Sequence, residues 1–385
     1  MTTLRLPVAG GEIVSYKLRS TGYGPGSGRV SDSRVAFAAA HVVADPFADN
    51  TPGQPAQLDW DATLAFRRHL VSYGLGVAEA MDTAQRGMGL DWATTRKLIR
   101  RSAAQVLADG GRIAAGAGTD HVADAPDLAA VVTAYLEQLE LVESTGSQPV
   151  VMASRHLVQV ARDPDDYRAV YGKLLGAASR PVILHWLGAA FDPALAGYWG
   201  CDDVTEATAV LLGVIGDNIH KVDGVKVSLL DAEHELALRA KLPAGIRLYT
   251  GDDFNYPELI RGDGAHHSDA LLGIFAAIAP AASAALQALD DGDLDRYELA
   301  FAPTLPLARQ VFSSPTYFYK TGIAFLAWLS GLQSGFTMVN GLQASRSIVH
   351  LAETFVLADK ASLLPDPDLA ATRMSALLTV AGISQ

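Results

Sequence analysis

The stretch VDGVKVSLL, residues 222–230, decides how the fold is read. Apart from Lys226 it is an almost unbroken apolar run, and strands apolar on both faces belong to parallel sheets covered by helices. Outward from it, PVILHW (181–186) precedes and IRLYT (246–250) follows. VAFAAA (35–40), VAEAM (77–81), RIAAG (112–116), PVVMA (149–153) and a weaker run near 265–271 bring the count to eight. Helical periodicity alternates with these runs, so the chain is expected to be an α/β protein, a (β/α)8 TIM barrel.

The intervening helices show their faces and ends. Phe66, Leu70 and Tyr73 share a stripe that begins near Asp59 and Asp61 and stops at Gly74. Thr94 or Thr95 is expected to cap a helix with Leu98, Ile99 and Val106 inward, and Asp163 to Asp166 to open the one carrying Tyr167, Val170, Tyr171 and Leu174. Upstream, TLRLP and EIVSYKL flank Gly10-Gly11 as a β-hairpin, expected to lie as a lid on one barrel end. Beyond about residue 290 strand signals stop and helical periodicity takes over. The expected organisation is a hairpin and loop over 1–33, a barrel over 34–290 and a C-terminal helical extension over 291–385.

Composition removes several classes of function. The formal charge is −12, with no basic cluster, so no nucleic-acid partner is expected. A lone Cys201 rules out an internal disulfide and fits a reducing compartment, and the opening MTTLRLPVAGGEIV lacks the apolar run of a signal peptide, so a cytoplasmic location is expected. The uncharged segment 270–289 contains Pro280 and has no basic flank, which predicts a buried or subunit-facing helix and no membrane span. The glycine-rich loop Gly22 to Gly28 precedes a strand and opens no helix, so it is not a dinucleotide fingerprint.

Reactive groups of a parallel barrel lie at the C-terminal ends of its strands. Those ends deliver His41, Glu79, Asp82, Asp120, His121, Arg155, His156, His185, Lys226, Ser228, Asp252, Asp253 and His266 or His267. Lys226 stands out, because a lysine is almost never buried unless it is paired or functional. An exposed lysine is only about 0.04% free amine at pH 7, and burial raises that fraction by disfavouring the ammonium. A buried amine of this kind is a nucleophile toward carbonyls.

With these residues in view, the element order and the stretches LDWDATLAFRRHLVSYGLGVAEAMDT, RPVILHWLG, DGVKVSLLD and IRLYTGDD make the chain resemble the dihydrodipicolinate synthase and N-acetylneuraminate lyase superfamily, a bacterial branch of it, over about residues 34–290. The resemblance implies that Lys226 is the Schiff-base lysine of the sixth strand and that Gly251 and Asp252 belong to the pocket-lining turn after the seventh. It places Met81-Asp82-Thr83-Ala84-Gln85 where the family reads Gly-Thr-Thr-Gly-Glu, which makes Asp82, Thr83 and Gln85 substrate contacts. It sets His185 in the position of the fifth-strand tyrosine that relays protons, and His156, beside Arg155, near the fourth-strand aromatic pair. Ser228 follows Lys226 on the same strand face. The implied activity is that of a class I lyase, aldolase or dehydratase, acting on a small-molecule carbonyl compound through a covalent imine and without another cofactor. The implied assembly is a homo-oligomer, a dimer or tetramer, for which apolar C-terminal helices would supply contacts.

The departures bear on the substrate, a keto-sugar or a 2-keto acid. A carboxylate at Asp82 repels the carboxylate of a keto acid unless Arg86 pairs with it, whereas carboxylates and imidazoles suit hydroxyl groups. Two other readings are open at this stage. His41, Glu79, His121 and His266 would be ligands for a divalent metal in a sugar isomerase or epimerase, and a barrel can also bind small molecules without catalysis. Trp186 is expected to face away from His185 and pack under helices, and the Tyr317-Phe318-Tyr319-Lys320 cluster to anchor the helical extension, with closure over the pocket as its second reading.

Overall fold

The computed structural model describes residues 2–19 and 22–385. Two strands, β1 (Thr3–Pro7) and β2 (Ile13–Lys17), pair antiparallel as the N-terminal hairpin. The next eight are β3 (Ala36–Ala39), β4 (Gly76–Glu79), β5 (Ile113–Ala117), β6 (Gln148–Val151), β7 (Val182–Leu187), β8 (Val222–Ser228), β9 (Arg247–Thr250) and β10 (Asp269–Leu272). They pair in parallel in chain order, and β10 closes on β3, giving a (β/α)8 barrel. All eight expected runs are strands.

Side-chain size sets the interior. Phe37, Val150, Ile183, Tyr249 and Leu271 fill the barrel in one cluster, with Phe37 and Tyr249 ring centroids 6.3 Å apart. Gly76 and Gly224 make room for the two rings: a Cβ at Gly76 would sit 2.6 Å from the Phe37 ring, and one at Gly224 2.9 Å from Tyr249. This packing plugs the barrel interior and separates a hollow at the strand starts, lined by Val35, Arg112, Gln148 and Arg247, from the space at the C-terminal ends of the strands.

The helices follow their expected faces, and carboxylates hold their N-termini. Asp59 accepts from the Ala62 amide and Asp163 from those of Asp165 and Asp166. The helix Trp92–Ala108 departs from expectation: Asp91 caps it, and Thr94, inside the first turn, donates both its amide and its hydroxyl to that carboxylate. Trp186 faces outward as expected, edge-on to Trp199 and His234. The uncharged run 270–289 is not one helix. It comprises most of β10, the turn Ile274–Ala276 and the helix Ala279–Asp290 with Pro280 in its first turn. Among the described residues no helix is long and apolar enough to cross a membrane.

After the barrel come the helices Leu294–Phe301, Thr304–Val311, Tyr319–Leu329, Ile348–Lys360 and Pro367–Val380. Much of their apolar surface is covered within the chain, where Phe301, Phe325, Leu351, Phe355 and Met374 share one cluster with outward residues of the barrel wall such as Ala38 and Val77, while Leu294, Leu299 and Val380 stay exposed. The hairpin also lies against this layer and is not a lid over a barrel end. Leu4 and Leu6 join the same cluster, β1 packs on Ile348–Lys360 and Pro367–Val380, and the Tyr16 hydroxyl donates to Asp359 at 2.7 Å.

Candidate active site

Alternation along β8 turns Gly224, Lys226 and Ser228 inward. Lys226 stands beside His185 of β7 as its register partner, and it is only 7% exposed. Room for it depends on Gly251, just past β9: a Cβ there would lie 2.9 Å from Lys226 Cε and would collide with Ser228 Oγ. The long side chain thus rises through a slot toward a narrow, nearly closed chamber of about 10 Å3 lined by Asp82, Thr83, Phe191, Lys226, Ser228, Asp253 and Tyr319. Asp82 and Leu187 also line a larger cleft of about 280 Å3, whose walls include Thr119, Ser154, Arg155 and His156.

The turn over the chamber is set by a strained residue. Ala80, fully buried just after β4, has φ of 52°, a left-handed conformation that costs an L-residue about 1–3 kcal/mol. It carries Met81, Asp82 and Thr83 across the barrel mouth. Thr83 Oγ1 lies 2.7 Å from the Tyr319 hydroxyl, and the Tyr319 ring stacks on Phe312 with centroids 4.3 Å apart. The Asp82 carboxylate has no hydrogen bond or ion pair among the described residues.

Burial dominates the electrostatics. It lowers the Lys226 pKa, and the carboxylates of Asp82 and Asp253 oppose that shift. It raises the Asp253 carboxyl, which accepts hydrogen bonds from the Ile274 and Gly273 amides. Tyr319 is pushed well above its ordinary value and His185 well below, both by burial, so both are neutral. His185 Nε2 is 3.2 Å from Ser228 Oγ, and its Nδ1 has no partner. A second amine, Lys320, is 3% exposed and lowered by burial to about 8; it donates to the Tyr317 carbonyl and sits 4.6 Å over the Tyr319 ring.

Several residues named from sequence gather here, and others do not. Lys226, Ser228, Asp82 and Thr83 line the chamber, Gly251 gives it room, and His156 lines the outer cleft with Nδ1 3.0 Å from Thr119. His185 lies one inward layer below Leu187 and Ser228, and it supports Ser228 without lining the chamber. Gln85 is buried away from it, donating to the Val339 carbonyl at 2.8 Å. Asp252 closes its own turn by accepting from the amides of Phe254 and Asn255, and it is Asp253 that faces the lysine.

The four residues of the metal reading do not converge. His41 bonds Gln333 at 2.8 Å, and Glu79 points out of the barrel into a fully buried, two-pronged ion pair with Arg67. His121 bonds Glu137 and Gln138, and His266 precedes β10, at the opposite end of the barrel from Lys226. Among the described residues no cluster of three or more His, Cys, Asp or Glu side chains is arranged to hold a metal ion.

Sequence reasoning missed Tyr319 as a site residue. The signal available is the Tyr317-Phe318-Tyr319-Lys320 cluster at a helix start, for which closing over the pocket is the second reading beside anchoring the extension.

The fold and these side chains define a (β/α)8 barrel with a buried lysine at its mouth. The chain belongs to the family described as "Protein of unknown function (DUF993)", whose model matches residues 4–383. No curated protein matches it in sequence. Its fold is similar to that of YagE, a prophage protein of the dihydrodipicolinic acid synthase family from E. coli K12 in complex with pyruvate, at 14% identity and a TM-score of 0.64 over 91% of this chain and 99% of that one. The 4-hydroxy-tetrahydrodipicolinate synthase from Methylacidiphilum fumariolicum SolV gives 14% identity and a TM-score of 0.64 over 89% and 99%. Dihydrodipicolinate synthase from Oceanobacillus iheyensis gives 14% and 0.62 over 89% and 97%. At such identities the likeness speaks for the fold.

Proposed function

We propose that this chain is a Schiff-base-forming lyase, of aldolase or dehydratase type, in which the Lys226 amine condenses with the carbonyl of a small molecule. The observation that carries this reading is a buried amine, lowered in pKa, in a narrow chamber that shares Asp82 and Leu187 with a cleft of about 280 Å3, the scale of a small metabolite. The shared fold with the synthases adds support by analogy. The lone Cys201 fits a reducing, cytoplasmic setting.

The neutral Lys226 Nζ attacks the carbonyl carbon, and the carbonyl oxygen leaves as water after taking up protons. The resulting iminium draws electrons from the adjacent carbon, so that a C–C or C–O bond one carbon further out can break. Two groups on the chamber wall suit the proton transfers. The Asp253 carboxyl, raised by burial to about 8, is in its ionised form a base strong enough to take the proton that Lys226 must lose. Tyr319, held by Thr83, serves the substrate side. His185, neutral and bonded to Ser228, keeps a second positive charge away from the amine.

The test is borohydride reduction in the presence of dihydroxyacetone or pyruvate, read as intact mass. The reading expects one stable adduct per chain, absent in Lys226→Met. Equal labelling of wild type and variant would contradict it.

A further inference from the structure

We infer that the substrate presents Lys226 with a ketone flanked by hydroxylated carbon and bearing no adjacent carboxylate, and that Asp82 sets this selectivity. The inference rests on the Schiff-base reading above and concerns the chemistry of the groups around the amine.

A carboxylate next to the reacting carbonyl is held best by hydrogen-bond donors or a cation, and the two guanidiniums nearest the turn already carry carboxylate partners, while the Lys320 amine donates to the Tyr317 carbonyl. Arg86, the guanidinium nearest the turn, is held in an ion pair by Asp120 and donates its other hydrogens to Ala80, Gly116 and Gln138. Arg155 donates through Nε alone to Asp192, at 2.6 Å, which neutralises its charge at the cleft wall. In the turn itself the Ala84 amide donates to Met81 O and the Gln85 amide to Asp82 O, so neither is free for an anion.

The unengaged group at the boundary of chamber and cleft is the Asp82 carboxylate, which lines both. It repels a substrate carboxylate and accepts hydrogen bonds from hydroxyls. Asp253 adds a second acceptor in the chamber, and Thr119, Ser154 and His156 add hydroxyl and imidazole groups along the cleft. A polyhydroxylated ketone matches this set, with its carbonyl at Lys226, the neighbouring hydroxyl on Asp82 and its tail in the cleft.

The experiment measures initial rates of borohydride-trapped adduct formation with dihydroxyacetone and with pyruvate at equal concentration, after subtracting the Lys226→Met background. Wild type is expected to be labelled at least tenfold faster by dihydroxyacetone. Asp82→Asn, and Asp82→Ala should the first variant fold poorly, is expected to raise pyruvate labelling at least fivefold and narrow the ratio. Faster pyruvate labelling of wild type overturns the inference while leaving the Schiff-base reading intact, and an unchanged ratio in both folded variants removes Asp82 from the role. Absence of a Lys226-dependent adduct with either ketone overturns the underlying reading and this inference with it.

Discussion

Thr83 Oγ1 and Tyr319 Oη lie 2.7 Å apart, joining the turn after the second barrel strand to the first residue of the C-terminal helix Tyr319–Leu329. The helical extension therefore contributes a wall of the lysine chamber. Tyr319→Phe is expected to keep the stacking on Phe312 and permit imine formation. It is also expected to slow exchange of substrate protons next to the carbonyl by about 100-fold or more, the usual scale for losing a positioned acid or base. Deuterium incorporation into dihydroxyacetone, followed by NMR, measures this, and an unchanged exchange rate would remove Tyr319 from proton transfer.

Gly251 is where the amine's slot is most easily closed. Gly251→Ala puts a methyl group 2.9 Å from Lys226 Cε and into Ser228 Oγ, with the Val227 carbonyl 2.7 Å away. Overpacking of this sort costs about 1–3 kcal/mol. A lower midpoint in urea, together with loss of the trapped adduct, is the expected result. Full labelling at wild-type stability would show that the slot is wider than described.

The ion pair of Arg67 and Glu79 has both side chains fully buried. Removing one partner leaves an isolated buried charge, so Glu79→Gln or Arg67→Met is expected to cost about 3–5 kcal/mol, whereas a double replacement by apolar residues costs less than the sum. Urea unfolding of the two single variants and the double variant forms the cycle that measures it. Additive losses would deny the coupling.

Glu235 supplies a pH signature unconnected with catalysis. Burial raises its carboxyl to about 8, although Ser268 and Thr250 donate hydrogen bonds to it. Below the ordinary carboxylate range both folded and unfolded chains hold the proton. Between about 4.5 and 8 only the folded chain holds it, so stability falls as pH rises, by at most about 1.4 kcal/mol per pH unit for one group. Glu235→Gln is expected to flatten that decline in a plot of Tm against pH, and an unchanged slope would assign the decline to other groups.

Much of the barrel was legible because strands covered on both faces must be apolar throughout, and a lysine in such a run is conspicuous. The cap of Trp92–Ala108 was misassigned because threonine and aspartate stand in the same turn, and the charged acceptor at Asp91 captured the donors, Thr94 included. Glu79 was readable in principle: Ala78 points into the barrel, so its neighbour must point out, toward Arg67. His266 was misplaced because β10 begins only at Asp269, which leaves the histidine before the strand. Tyr319 was hidden for another reason. Its place at the chamber follows from how the C-terminal helices pack on the barrel, a long-range relation that no local pattern encodes.

Two buried amines with lowered pKa stand near the barrel mouth, Lys226 and Lys320, and the account depends on which of them meets the ketone. The direct measurement is tandem mass spectrometry of peptides from protein reduced with borohydride in dihydroxyacetone. The modification is expected on Lys226, with Lys320 unmodified beneath its aromatic neighbours. An adduct on Lys320, or one spread over surface lysines with Lys226 untouched, would contradict the proposed chemistry.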